Sequence, residues 1–171
     1  KIESRITDKT VAIMPVHVFG NPCDVDAIQS IADRHGLKVV YDAAHAVGVD
    51  YRGRSLFRYG DISATSFHAT KMLNTAEGGG CITDDDELDA RLRAIRFFGY
   101  DAGKQIVCNG FNGKMTEVHA AIGLANLRCL RMALDDRRDK YNLYLERLTG
   151  SAALRFQRID EGCNHSYFPV I

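Results

Sequence analysis

The chain's 171 residues, 46% hydrophobic and 26% charged, suffice to bury one sizeable core, roughly 70% of the unfolded surface, as globular domains do. Lys+Arg and Asp+Glu both number 22, so no bulk charge favours nucleic acid or an anionic membrane, and no apolar run approaches the ~20 residues that span a bilayer. The five cysteines are scattered, odd in number and without a CxxC pair, which argues against disulfides or zinc and for free thiols in a reducing cytoplasm.

No signal peptide is seen at the start. The chain begins at Lys1 and stops at Ile171 inside the apolar run SYFPVI, so both ends read as cut from a longer protein. Residues 11–14 form a short apolar run ending at Pro15, a buried strand, followed by the turn-rich loop HVFGNPCD. Asp24 is placed to cap a helix reaching His35, with Val25, Ile28, Ile31 and Ala32 on one face and Gly36 as its C-cap. Residues 38–41 predict a second strand with Asp42 at its carboxyl end, and 62–67 a third. Residues 80–83 predict a fourth, running back.

Beyond the N-terminal signal at 84–86, residues 87–97 have helical periodicity through Leu88, Leu92 and Ile95. Residues 99–113 hold four glycines and read as a long loop, a length that points to function or an interface. Thr116 caps a predicted helix over 117–130 that turns Val118, Ala121, Ile122, Ala125 and Leu127 inward. A separate, charge-dense helix is predicted over 135–148. The expected organisation is 1–133 as part of a large domain, 134–150 as a linking helix and 151–171 as the start of a second domain. Strands alternating with helices predict an α/β fold with a mostly parallel sheet.

In open α/β sheets, ligands bind at the carboxyl ends of strands. Asp42 lies at one such end, where a carboxylate serves either as a turn or cap residue or as a ligand group. Ser66 lies at another, with Lys71 just beyond it. A desolvated lysine loses proton affinity and becomes a nucleophile toward carbonyls. Together these residues suit pyridoxal phosphate, which needs a lysine for its aldehyde, an acid for its ring nitrogen and donors for its phosphate. Ser66 and nearby backbone N–H groups supply such donors. His45, three residues after Asp42, is either a donor to the ring hydroxyl or a structural histidine. His17 and His68 fall near the expected site, but no acidic or cysteine partner has metal-ligand spacing. The triplet at 78–80 lacks the GK[ST] ending of a phosphate loop and reads as close backbone packing at a turn.

YDAAHAVG followed by GDISATSFHATKMLNTAEGGG resembles the DegT-type sugar aminotransferases, fold-type I pyridoxal phosphate enzymes. PVHVFGNPCDVDAI, RAIRFFGYD and GFNGKMTEVHAAIGLANL are similar to the adjoining segments of that family, in the same order. The resemblance covers nearly the whole chain and implies the large domain of the aspartate aminotransferase fold. It implies Lys71 as the Schiff-base lysine, Asp42 as the acid on the pyridine nitrogen, His45 near the ring oxygen and Ser66 as a phosphate ligand. It implies that Asn112 reaches the phosphate of a second subunit's cofactor, hence a homodimer with shared active sites. The implied reaction aminates a keto group on a nucleotide-linked sugar, with glutamate as donor. A dehydrating branch of the family has histidine at the lysine position, so Lys71 favours transamination. A sugar dehydratase or lyase, or a non-catalytic scaffold, is the alternative.

Overall fold

The computed structural model describes residues 1–164. The apolar run expected to have strand character at the end of the chain lies outside them. In chain order the elements are β1 (Ala12–Ile13), α1 (Val25–His35), β2 (Lys38–Asp42), β3 (Asp50–Tyr51), β4 (Arg54–Ser55), β5 (Ile62–Ser66), β6 (Gly79–Ile82), α2 (Asp86–Arg96), α3 (Glu117–Leu148) and β7 (Cys163–Asn164). The main sheet has the order β1-β2-β5-β6. β1, β2 and β5 run parallel, and β6 returns antiparallel to β5, as expected.

The core forms where α1 lies on the sheet. Val39 and Tyr41 of β2 alternate inward at 0% and 1% exposure and meet Val25, Ile28 and Ala32 of α1. Burying an aliphatic side chain of this kind contributes about 1.5–3 kcal/mol. Both ends of α1 are made as the sequence predicts. The Asp24 carboxylate accepts from the Ala27 N–H at 3.1 Å, and Gly36 closes the helix in the left-handed region at φ 64°. Asp24→Ala is expected to cost about 1 kcal/mol, seen as a lower urea midpoint at unchanged slope, while Asp24→Asn stays close to the parent.

The glycine triplet meets a steric demand. A Cβ at Gly79 would stand 2.8 Å from the Thr65 carbonyl oxygen across the β5–β6 pair, so only glycine lets the strands close there.

α3 is one helix of 32 residues, where two were expected. Asp135 and Asp136 do not cap a new helix. They take Arg131 at 3.3 Å, Arg138 at 2.8 Å and Lys140 at 2.6 Å in pairs three or four residues apart, which a continuous helix favours. The expected inward stripe is also corrected: Val118 and Leu127 are 70% and 52% exposed, and Ala121 and Ala125 are exposed with them. The helix approaches the domain through small and polar groups instead. A Cβ at Gly123 would lie 2.6 Å from the Thr75 methyl, and the Asn126 amide donates to the Asn74 carbonyl at 2.9 Å.

A second sheet, β4-β3-β7, was not expected. Its two-residue strands carry no readable alternation, and β7 reaches β3 from more than a hundred residues away. The stretch before β7 also touches the main domain, with the Asn21 amide donating to the Arg158 carbonyl at 2.8 Å. No described helix is long and apolar enough to cross a membrane.

Candidate active site

The carboxyl edge of the parallel strands gathers the candidate residues. Asp42 ends β2 and Ser66 ends β5, and these strands are paired with Asp42 opposite Ala64. The chain leaving β1 follows the same edge: Val16 bridges to Asp42, and the His17 N–H donates to the Asp42 carbonyl at 2.9 Å. The Asp42 carboxylate accepts from the Ala44 N–H at 3.0 Å, a side-chain turn that bends the chain sharply after β2. This bend brings His45 back over the edge.

Lys71 sits in the closed loop between β5 and β6. The Phe67 N–H donates to the Gly78 carbonyl at 2.8 Å and the Thr75 N–H to the Phe67 carbonyl at 2.9 Å, which pinches the loop shut. The Lys71 amine donates to His45 Nε2 at 2.9 Å. Accepting there leaves the His45 proton on Nδ1. Burial, then the Lys71 charge, depresses the proton affinity of His45, while the Asp42 charge opposes. The imidazole is thus neutral and able to receive the amine. The Ser66 hydroxyl accepts from the His68 N–H at 3.3 Å. The His68 ring lies 3.6 Å from the Glu77 carboxylate at the mouth of the loop.

The structure therefore brings Asp42, His45, Ser66 and Lys71 to one edge, and the amine and the carboxylate both act on the same imidazole. Asn112 is placed elsewhere in the chain. It is exposed, and its backbone bridges to Phe97 at the end of α2. No described hydrogen bond joins it to Asp42, Ser66 or Lys71.

Two residues of the β1–α1 loop join the edge: His17, expected near the site, and Phe19, which the sequence did not single out. His17 is 1% exposed, with its ring stacked on Tyr41 at 4.3 Å and Nδ1 accepting from the Cys23 N–H at 3.1 Å. Burial pulls its pKa down to about 4, the nearby Asp42 charge opposing. Phe19 stacks on His45 with ring centroids 5.7 Å apart and planes within 1°. Its φ of 55° is left-handed, costing a non-glycine residue about 1 kcal/mol or more. Phe19 also lines a cavity of about 510 Å³ with Val16, Val18, Cys23 and Phe156. The available signal was topological: a loop leaving the carboxyl end of β1 must run along the edge that holds Asp42.

The donor set suits pyridoxal phosphate. A primary amine, a carboxylate, a hydroxyl and an imidazole converge on one sheet edge, the amine 2.9 Å from the imidazole. An open, mostly parallel sheet with this edge is the large-domain architecture of the pyridoxal phosphate transferases. The chain belongs to the DegT/DnrJ/EryC1/StrS aminotransferase family, whose model matches residues 1–171.

Among its relatives, the dTDP-4-amino-4,6-dideoxy-D-glucose transaminase of Shigella dysenteriae is 42% identical across 100% of this chain and 47% of its own length. The GDP-perosamine synthase of Caulobacter vibrioides is 43% identical across 88% of this chain and 39% of its own. The solved structure of DesI with its TDP-sugar product superposes with a TM-score of 0.91 at 37% identity, covering 97% of this chain and 42% of that one. DesV of S. venezuelae, solved with a ketimine intermediate, gives 0.89 at 34% identity, covering 97% and 45%. The chain thus spans about half the length of the curated relatives it matches.

Proposed function

We propose that this chain carries the cofactor-binding part of a pyridoxal phosphate-dependent aminotransferase that aminates a nucleotide-linked keto sugar, with glutamate as donor. The observation that carries the reading is the Lys71 amine resting on the His45 imidazole at 2.9 Å, on the sheet edge that Asp42 and Ser66 share. The names of the relatives and structural neighbours, nucleotide-sugar transaminases among them, support the substrate class.

When bound, pyridoxal phosphate supplies an electron sink for the substrate carbon that loses its proton. Lys71 Nζ would hold the aldehyde of that group and serve as the base that moves the substrate proton. Asp42 would stand at the ring nitrogen, where its charge favours the protonated ring. His45, protonated at Nδ1, would donate toward the ring oxygen. Ser66 Oγ and neighbouring backbone N–H groups would bind phosphate oxygens.

Asn112 of a second copy binds the same phosphate in this reading, so the active unit is a homodimer. The exposed apolar side chains flanking it support that role, with Ile106, Val107 and Phe111 at 72%, 57% and 61% exposure. All five cysteines are free thiols, which supports a reducing, cytoplasmic setting.

The chain, supplied with pyridoxal phosphate, glutamate and a nucleotide-linked 4-keto sugar, is expected to form 2-oxoglutarate in step with amino sugar. A sugar product without 2-oxoglutarate would replace transamination by dehydration or elimination. Failure to capture the cofactor at Lys71 would leave a non-catalytic scaffold.

A further inference from the structure

The turn that follows β1 is fastened at both ends. The His17 N–H is held by Asp42, and His17 Nδ1 holds the Cys23 N–H. Between these points the Gly20 N–H donates to the His17 carbonyl at 3.0 Å and the Asn21 N–H to the Val18 carbonyl at 3.1 Å. Phe19 is the residue this fastening drives into the left-handed region, with φ 55° and ψ 26°, and Gly20 follows at φ 80°. A phenylalanine in that conformation persists only when its surroundings over-determine it, and such residues gather at functional sites. Its ring lies parallel to His45, in the offset arrangement that aromatic pairs prefer.

We propose that Phe19 is a positioning residue for the amine of this site: held by the fastened turn, it fixes the plane of His45 and thereby the direction from which Nε2 receives Lys71. The acceptor lone pair of an imidazole lies in the ring plane. Rotation of an unsupported ring about its side-chain bonds would swing Nε2 away from an amine that now sits at hydrogen-bond distance. The apolar face of Phe19 also keeps water from one side of His45, which favours the neutral ring that can accept. Among the described residues, the charged groups acting on His45 are Lys71, in the β5–β6 loop, and Asp42, at the end of β2, and Phe19 is an uncharged support beside them. The proposal deepens the aminotransferase reading and rests on it for the role of Lys71.

The test compares Phe19→Leu, which keeps apolar bulk without a ring, with Phe19→Tyr, which keeps the ring. Two readouts are taken: capture of pyridoxal phosphate at Lys71, trapped by borohydride reduction, and the titration of His45 in the cofactor-free chain by NMR of labelled histidine. Phe19→Leu is expected to slow capture about threefold to tenfold, the range of an aromatic pair. It is also expected to move the His45 midpoint upward, toward that of a solvated histidine. Phe19→Tyr should restore both. An unchanged His45 midpoint in Phe19→Leu overturns the proposal, and so does a Phe19→Tyr variant as impaired as Phe19→Leu. If the parent chain captures no cofactor while the His45 midpoint still follows the ring, the aminotransferase reading fails and the Phe19–His45 coupling stands.

Discussion

Lys71→Ala is expected to abolish the visible absorption band of the cofactor-loaded protein and to lower turnover about a thousandfold or more, because in the proposed function one amine would both bind the aldehyde carbon and move the proton. The loss should be specific. Lys71 is fixed by the pinched 67–78 loop and by His45, and neither the core under α1 nor the β5–β6 pairing depends on its side chain. Circular dichroism and the urea midpoint should therefore stay near the parent's while the band disappears. Asp42, Ser66 and the backbone donors remain, so equilibrium dialysis should still find the cofactor bound, more weakly and without the band. Lys71→Arg separates charge from nucleophilicity: a guanidinium keeps the cation but cannot become a free amine near neutral pH. It should be as inactive as Lys71→Ala. A persistent band in either variant would move the reactive amine elsewhere in the chain.

That Lys71 and Asp42 can be paired from sequence follows from the physics of parallel sheets. Asp42 and Ser66 each terminate a short apolar run, and adjacent parallel strands place their carboxyl ends on one edge. The α1 boundaries were legible for a local reason: Asp24 and Gly36 act on hydrogen bonds within four residues of themselves. The resemblance to a family added the roles, and the whole-chain family match supports its breadth.

What stayed hidden depends on contacts between distant residues. The continuity of α3 rests on Asp135 and Asp136 finding arginine and lysine partners along the same helix, where an acidic pair after an apolar stretch also reads as an N-terminal signal. The outward turn of Val118 and Leu127 is decided by Gly123 and Asn126 meeting Thr75 and Asn74, a packing that hydropathy alone does not express. β3, β4 and β7 are too short to show period-two alternation. The stacking of Phe19 on His45 needs a left-handed phenylalanine, which no propensity scale anticipates. Of the two readings of Asp42, the turn is visible in the structure, where one oxygen accepts from the Ala44 N–H, and its charge also acts on the imidazole that Lys71 meets.

His17 sets the other large effect, on stability rather than turnover. Its ring is 1% exposed and stacked on Tyr41, and Nδ1 is committed to the Cys23 N–H, so the neutral ring carries its proton on Nε2. Among the described residues that buried Nε2 has no hydrogen-bond partner. A second proton would have to displace the Cys23 contact and place a charge in the core, which is why burial lowers the pKa from 6.5 to about 4. The unfolded chain therefore takes up the proton first as the pH falls. The stability tied to neutral His17 is fully present above pH 6.5, is lost as the pH falls from 6.5 toward about 4, and changes no further below that. At about 1.4 kcal/mol per pH unit the loss comes to about 3 kcal/mol, a large share of the 5–15 kcal/mol that holds a typical domain. His45, whose proton affinity is also lowered, adds in the same direction. Urea unfolding at stepped pH should show this slope in the parent, and His17→Phe, which keeps the stack on Tyr41 but cannot titrate, should flatten it. If that variant does not fold, labelled-histidine NMR of the parent decides: the His17 resonance should hold its neutral position down to about pH 5. A midpoint near 6.5 would show that water reaches the ring and that the buried proton does not set the acid limit of this fold.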